Sequence, residues 1–132
     1  MRLLLDTHVL LWALAEPEKI PKNTRAQLEA ADNDVLFSAA SLWEIAIKVQ
    51  TGRLALRVPL GEVSSGAEQM GFVELPVRSA HAVRVADLPL HHRDPFDRLL
   101  VAQAMLEPAR LLTVDSPLRR YSDLVEIITP AP

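Results

Sequence analysis

Two rhythms of apolar residues alternate along the chain: short continuous runs, and longer stretches in which apolar positions recur every three or four residues. Leu3-Leu4-Leu5 is the first run, the pattern of a central strand covered on both faces, and Asp6-Thr7 reads as a helix start directly behind it. Leu10, Leu11 and Leu14 follow at helical spacing, with Trp12 on another side. Pro17 and Pro21 interrupt this helix. Asn23-Thr24 starts another, carrying Ala26, Leu28 and Ala30-Ala31 up to Asp32-Asn33-Asp34. Val35-Leu36-Phe37 is the second strand, and Ser38 to Ser41 opens a helix with Leu42, Ile45, Ala46 and Val49 on one face and Gly52 as its stop.

The second half repeats the alternation. A weaker helix spans Pro59 to Met70, a short strand Phe72 to Leu75, and a helix Arg78 to Leu88 with Ala80 and Val83 turned inward and Ala86 as a third candidate. After the polar loop His91-His92-Arg93-Asp94, Pro95 suits the first turn of a helix over Phe96 to Leu106 that is apolar nearly all round and therefore buried. Leu111 to Val114 is a strand ending at Asp115, Ser116-Pro117 starts a short helix, and Val125 to Ile128 is a last strand. Strands alternating with helices predict a three-layer α/β/α fold on a mainly parallel sheet with right-handed crossovers.

Bulk properties narrow the picture without deciding it. The 132 residues fit one domain, 1–132, and 49% apolar with 23% charged residues is a globular composition. With no cysteine, a disulfide framework and a thiolate metal site are both excluded, so a metal ion would be held by oxygen or imidazole. A net charge of −3 means that a nucleic-acid partner would be held by a local basic patch or through metal ions, not by the field of the whole molecule. No apolar run is long enough for a signal peptide or a membrane span, and the expectation is a soluble cytoplasmic protein.

Candidate chemistry gathers at the strand-to-helix junctions, which a parallel sheet places on one edge. They carry Asp6, Glu44 one turn into its helix, Asp94 and Asp97, and Asp115. Each has a local structural use: Ser41 to Glu44 spells a capping box, Asp94-Pro95-Phe96-Asp97 an N-cap with an acid in the first turn, and Asp6 and Asp115 are placed to cap their own helices. Together, however, several carboxylates on one edge repel one another unless a cation or a proton sits among them. Mg²⁺ or Mn²⁺ resolves that conflict with oxygen ligands, polarises a phosphoryl oxygen and lowers the pKa of a bound water, which points to phosphodiester hydrolysis.

The segments LLLDTHVLLW, SLWEIAIKVQTGRL, HHRDPFDRLLVAQA and LLTVD, in that order, resemble the successive blocks of PIN-domain ribonucleases, specifically the VapC-type toxins of bacterial type II toxin–antitoxin pairs. The resemblance covers nearly the whole chain. It implies a PIN-like fold, Mg²⁺- or Mn²⁺-dependent endonucleolytic cleavage of RNA by metal-activated water, and a cognate antitoxin protein. Position by position it implies Asp6, Glu44, Asp97 and Asp115 as the acidic quartet, with Asp6 and Asp97 the most direct metal ligands. Asp94 is an extra acid read as the helix cap, and Asp115 is followed by Ser116-Pro117 where relatives often carry Asn or Asp nearby.

Among neighbouring residues, Thr7 is a candidate for a metal water or a phosphate against local capping, and Lys48 for the site against an i,i+4 pair with Glu44. His91, His92, Arg93 and Arg98 form the best basic patch for an RNA backbone. His8 is expected to project from a different side of its helix. Trp12, Trp43 and the surplus apolar faces suggest packing, a homodimer and an antitoxin groove. Two rivals remain: aspartyl-phosphate chemistry, weakened by His8 where a phosphatase needs a second Asp, and a non-catalytic protein-binding module whose acids are only caps.

Overall fold

The computed structural model describes residues 1–132. Strands β1 (Arg2–Leu5), β2 (Asp34–Ser38), β3 (Val73–Leu75), β4 (Arg110–Thr113) and β5 (Val125–Ile127) form one sheet in the order β3-β2-β1-β4-β5, and every pairing is parallel. β1 is the middle strand. Its Leu3, Leu4 and Leu5 are completely buried because successive side chains point to opposite faces and both faces are covered. Leu3 and Leu5 join Val35, Phe37, Leu112 and Ile128 on one face, packed by Val9, Leu10 and Ala13 of helix α1 (Thr7–Ala15) and by Ala67 of helix α4 (Leu60–Gln69). Leu4 joins Leu36, Leu111 and Val125 on the other, beneath Leu100, Val101 and Ala104 of helix α6 (Pro95–Leu106). The sheet is thus the middle layer of an α/β/α sandwich.

Helix α2 (Lys22–Glu29) and the short 3₁₀ turn Pro17–Lys19 connect β1 to β2, and helix α3 (Ala39–Gln50) follows β2 without a loop. Register positions the site. Leu5 lies beside Phe37 and beside Leu112, so the three central strands end level and their carboxyl ends present Asp6, the start of α3 and the Thr113–Asp115 segment on one edge.

Two local expectations fail for identifiable reasons. Ser41 to Glu44 is not a capping box: Ser38 is the cap of α3, its Oγ accepting from Ala40 N, so Ser41 and Glu44 already lie inside the helix and turn inward. Helix α5 is only Ser79–Val85, and Ala80, Val83 and Ala86 face solvent; the buried residue is His81. An imidazole is tolerated there because both nitrogens are paired: Nδ1 accepts from Arg78 N at 2.9 Å, and Nε2 lies 2.9 Å from Glu107 Oε2. Glu107 also receives Arg2 at 3.2 Å, tying α5, the end of α6 and β1 together at the edge of the sheet opposite the acids.

Candidate active site

A cavity of about 380 Å³ opens at the carboxyl edge of the sheet, lined by Asp6, Thr7, His8, Glu44, Lys48, His92, Asp94, Asp97, Val114 and Asp115. Five of its ten lining residues are acids. Asp6 arrives on the end of β1, where it does two jobs with one carboxylate: Oδ1 caps α1 by accepting from Val9 N at 2.8 Å, and Oδ2 accepts from the Thr113 hydroxyl at 2.6 Å and from Val114 N at 3.2 Å. Burial raises the pKa of Asp6 above the usual carboxylate value, because the loss of water outweighs these three hydrogen bonds.

Glu44 enters from α3 and is nearly as buried. Thr7 donates to its Oε1 at 2.6 Å, with Ser41 Oγ 3.0 Å from the same hydroxyl, and Lys48 approaches its Oε2 at 2.5 Å. Thr7 is therefore a holder of Glu44, not a local cap. Lys48 is the ammonium within the pocket; its hydrogen bond to Glu44 raises its pKa, so it stays charged. Asp94 Oδ1 caps α6, accepting from Phe96 N at 2.9 Å and Asp97 N at 3.1 Å, which leaves Asp97 free to face the cavity from the first turn.

Asp97 is the electrostatic focus. Burial, then the repulsion of Asp94, Glu44, Asp115 and Asp6 in that order, pushes its pKa up to about 8. At neutral pH without a cation, its carboxyl retains a proton. A pocket that holds a proton against the ordinary acidity of Asp is one that gains by exchanging that proton for a metal ion.

His92 differs from its expected place in a basic patch. Its Nε2 lies 2.7 Å from Asp115 Oδ2 and 3.9 Å from Asp97 Oδ2, inside the acidic cavity. Arg98 is engaged elsewhere: its guanidinium donates to the carbonyls of Val85 and Leu88 at 3.3 and 3.0 Å and braces the segment leading into the loop. Arg93 is exposed, and His91 packs against Tyr121 with ring centres 5.1 Å apart. His8, expected to project away, lines the cavity. Thr113 went unremarked in the sequence, although a fully buried threonine at the last position of a strand is a signal that its hydroxyl has a partner; it bonds Asp6 and accepts from Asp115 N at 3.1 Å, linking two of the acids.

The profile of the PIN domain matches residues 3–124. The chain belongs to the PIN-domain family. It is 34% identical over 119 residues to Ribonuclease VapC22 of Mycobacterium tuberculosis, a match covering 89% of this chain and 90% of that protein. Its fold is similar to that in the crystal structure of VapBC2 from Rickettsia felis bound to a DNA fragment from their promoter, with a TM-score of 0.69 at 17% identity over 97% of this chain and 99% of that one. It is also similar to the structure of FitAB bound to an IR36 DNA fragment, with a TM-score of 0.60 at 19% identity over 95% and 94% of the two chains. These two solved structures share the fold of this chain. No helix of the fold is long and apolar enough to cross a membrane.

Proposed function

We propose that this PIN domain, residues 1–132, is the endoribonuclease toxin of a cytoplasmic toxin–antitoxin pair, dependent on Mg²⁺ or Mn²⁺. The observation that carries the reading is the convergence of Asp6, Glu44, Asp97 and Asp115 in one cavity, with the Asp97 carboxyl pushed to about 8 by its burial and its neighbours. The donor set fits a hard divalent cation: carboxylate oxygens, no thiolate, and room for retained waters. Kinship to a named VapC ribonuclease over nearly the full chain supports the same class of activity, and likeness to VapBC2 and FitAB supports an antitoxin partner.

In this reading Asp6 and Asp97 hold the ion most directly, and Glu44 and Asp115 complete the acidic pocket around it. When bound, the ion supplies Lewis acidity at a phosphoryl oxygen and a more acidic water as nucleophile. The protein's own groups prepare for it. Thr113 and the amides of Val9 and Val114 fix the Asp6 carboxylate, and Thr7 fixes Glu44. Lys48 offsets the Glu44 charge and leaves a cation at the mouth where an anionic backbone must approach; Arg93, exposed in the adjacent loop, is the second cation for that backbone. Arg98 is not assigned to RNA because one of its guanidinium nitrogens is held by the carbonyls of Val85 and Leu88, which turns the side chain toward the segment before the loop.

The test is cleavage of single-stranded RNA by the purified protein. Mg²⁺ or Mn²⁺ should support cleavage and EDTA should abolish it. Asp6→Asn and Asp97→Asn should each reduce the rate by roughly 10²–10⁴-fold, the scale of several kcal/mol of metal-borne charge stabilisation. Cleavage unchanged by EDTA and by both substitutions refutes the proposal. Co-purification with the product of an adjacent small reading frame tests the antitoxin, and light scattering of the toxin alone tests the homodimer.

A further inference from the structure

One large aromatic side chain beside the acids is left in solvent. Trp43 is 62% exposed, although it directly precedes the buried Glu44 on α3. Successive residues of a helix are turned by about 100°, so with Glu44 pointing into the cavity Trp43 is carried onto its outer flank. Helix α6 repeats the arrangement, with Phe96 directly preceding Asp97 in the first turn. The two aromatic residues meet where α3 packs on α6, with ring centres 5.2 Å apart and planes at 77°, an edge-to-face pair.

In such a pair Phe96 covers at most one face of the indole, and the exposure of Trp43 leaves the other face to water. The place of the ring decides what it fits. Trp43 and Phe96 lie near the amino ends of α3 and α6, at the edge of the sheet that carries the acids. The other exposed large apolar residues of these two helices, Val49 and Leu106, lie at their far ends. The site end of the two helices thus offers a single aromatic pair, matched in size to a nucleobase and small beside the roughly 800 Å² per partner of a stable protein interface. Cations stand close by in the chain: Arg93 is exposed three residues before Phe96, and Lys48 lines the cavity. Cations for the backbone and aromatic faces for the bases are the combination by which single-stranded nucleic acid is held.

We propose that Trp43, seated by Phe96, stacks on an unpaired base of the RNA beside the phosphate held at the acidic cavity. The proposal rests on the ribonuclease reading above and adds a base contact to its metal and phosphate contacts. Each helix then supplies two neighbours with separate tasks: an acid for the ion and an aromatic residue for the base, Glu44 with Trp43 on α3 and Asp97 with Phe96 on α6. Every base has a stacking face, so the contact selects unpaired RNA over a duplex, whose bases already stack on one another, without selecting a sequence.

The experiment is binding of a labelled single-stranded RNA by the full chain carrying Asp97→Asn, whose slowed cleavage leaves the RNA intact, in Mg²⁺ and over a range of salt. Adding Trp43→Leu should weaken binding roughly 5–150-fold, the span of one lost base stack, with the slope against salt unchanged because no phosphate contact is removed. Trp43→Phe keeps a ring and should lose less. An oligomer of the same length without bases should bind all three proteins alike. In a Trp12→Phe chain Trp43 is the single tryptophan, and RNA should quench its fluorescence while the base-free oligomer should not. Thermal melting checks that the variants fold. Equal RNA affinity with and without Trp43→Leu overturns the proposal, as does an equal loss toward the base-free oligomer or fluorescence of Trp43 that RNA leaves unchanged. A Trp43→Leu chain that sediments as a monomer where its parent is a dimer assigns the ring to a second copy and also overturns it. A parent that binds no RNA overturns the ribonuclease reading itself.

Discussion

Replacing Asp97 by Asn should make the metal-free protein more stable while making it unable to hold the ion. With a folded-state pKa of about 8 against 3.8 for a free aspartate, the group resists ionisation over about three units up to pH 7, or about 4 kcal/mol at 1.36 kcal/mol per unit. The cavity is open to water and the Asp97 side chain is 18% exposed, so screening lowers the realised cost to about 1–2 kcal/mol. At pH 7 the wild-type carboxyl is itself protonated, so the substitution removes no helix-dipole charge from the first turn of α6. The net gain is about 1 kcal/mol, or about 3–5 °C in melting temperature for a domain of this size. The sign fixes the pH window: an acid with a raised folded pKa contributes its stability fully below the unfolded value of 3.8 and loses it as pH rises through about 8.

Thermal melts in EDTA at pH 4, 6 and 8 should therefore find wild type and Asp97→Asn closest at pH 4 and furthest apart at pH 8. Saturating Mn²⁺ at pH 8 should reverse the order, since ligand at 100 times its Kd adds about 2.7 kcal/mol to the species that binds it. A stability difference that is the same at pH 4 and pH 8, or a variant less stable than wild type at pH 8 in EDTA, would refute the crowded-carboxylate argument and favour a purely structural role for Asp97.

Lys48→Met should destabilise the protein by about 1–3 kcal/mol in chemical denaturation, because it leaves the buried Glu44 carboxylate without its ammonium in a pocket already rich in negative charge. His81→Ala should cost about 2–4 kcal/mol in the same measurement, from the orphaned Arg78 amide and the cavity left under α5. The Glu107 pKa is held below its usual 4.5 by the hydrogen bond from His81 and then by Arg2, so its contribution is present above pH 4.5 and lost as pH falls through the lowered value; Glu107→Gln should flatten that part of the acid-denaturation curve. Leu4→Ala, at the middle of the central strand, should cost about 2–5 kcal/mol without altering the Mn²⁺ stoichiometry of the molecules that remain folded.

Much of the fold was legible from periodicity alone. Leu3 to Leu5, Val35 to Phe37 and Leu111 to Leu112 are apolar without interruption because consecutive side chains of a strand point to opposite faces, and both faces of this parallel sheet are covered. The α5 face was misread because the helix is short and its buried position is a histidine: residue type argued for Ala80 and Val83, and pairing with Glu107 decided for His81. The Ser41–Glu44 capping box failed because β2 hands over to α3 at Ser38, three residues earlier than the motif suggested.

The sequence by itself determined which acids sit at strand-to-helix junctions, since a strand's end and a helix's start are local properties of spacing, caps and prolines. Only the tertiary structure decided what each acid does there. Asp6 and Asp94 both cap helices, as the local reading of each allows, yet Asp6 also lines the cavity while Asp94 frees Asp97 to face it. The Asp97 pKa depends on four other carboxylates, three of them from distant junctions of the chain, and no window of sequence holds them together. His92 changes most: beside Arg93 it looks like part of a basic patch, but the Asp94 amide donating to its Nδ1, its own amide donating to the Tyr121 hydroxyl, and a 2.7 Å contact between Nε2 and Asp115 place it in the acidic cavity. Charge and periodicity are written residue by residue. Desolvation and repulsion are set by neighbours that only folding brings within a few ångströms.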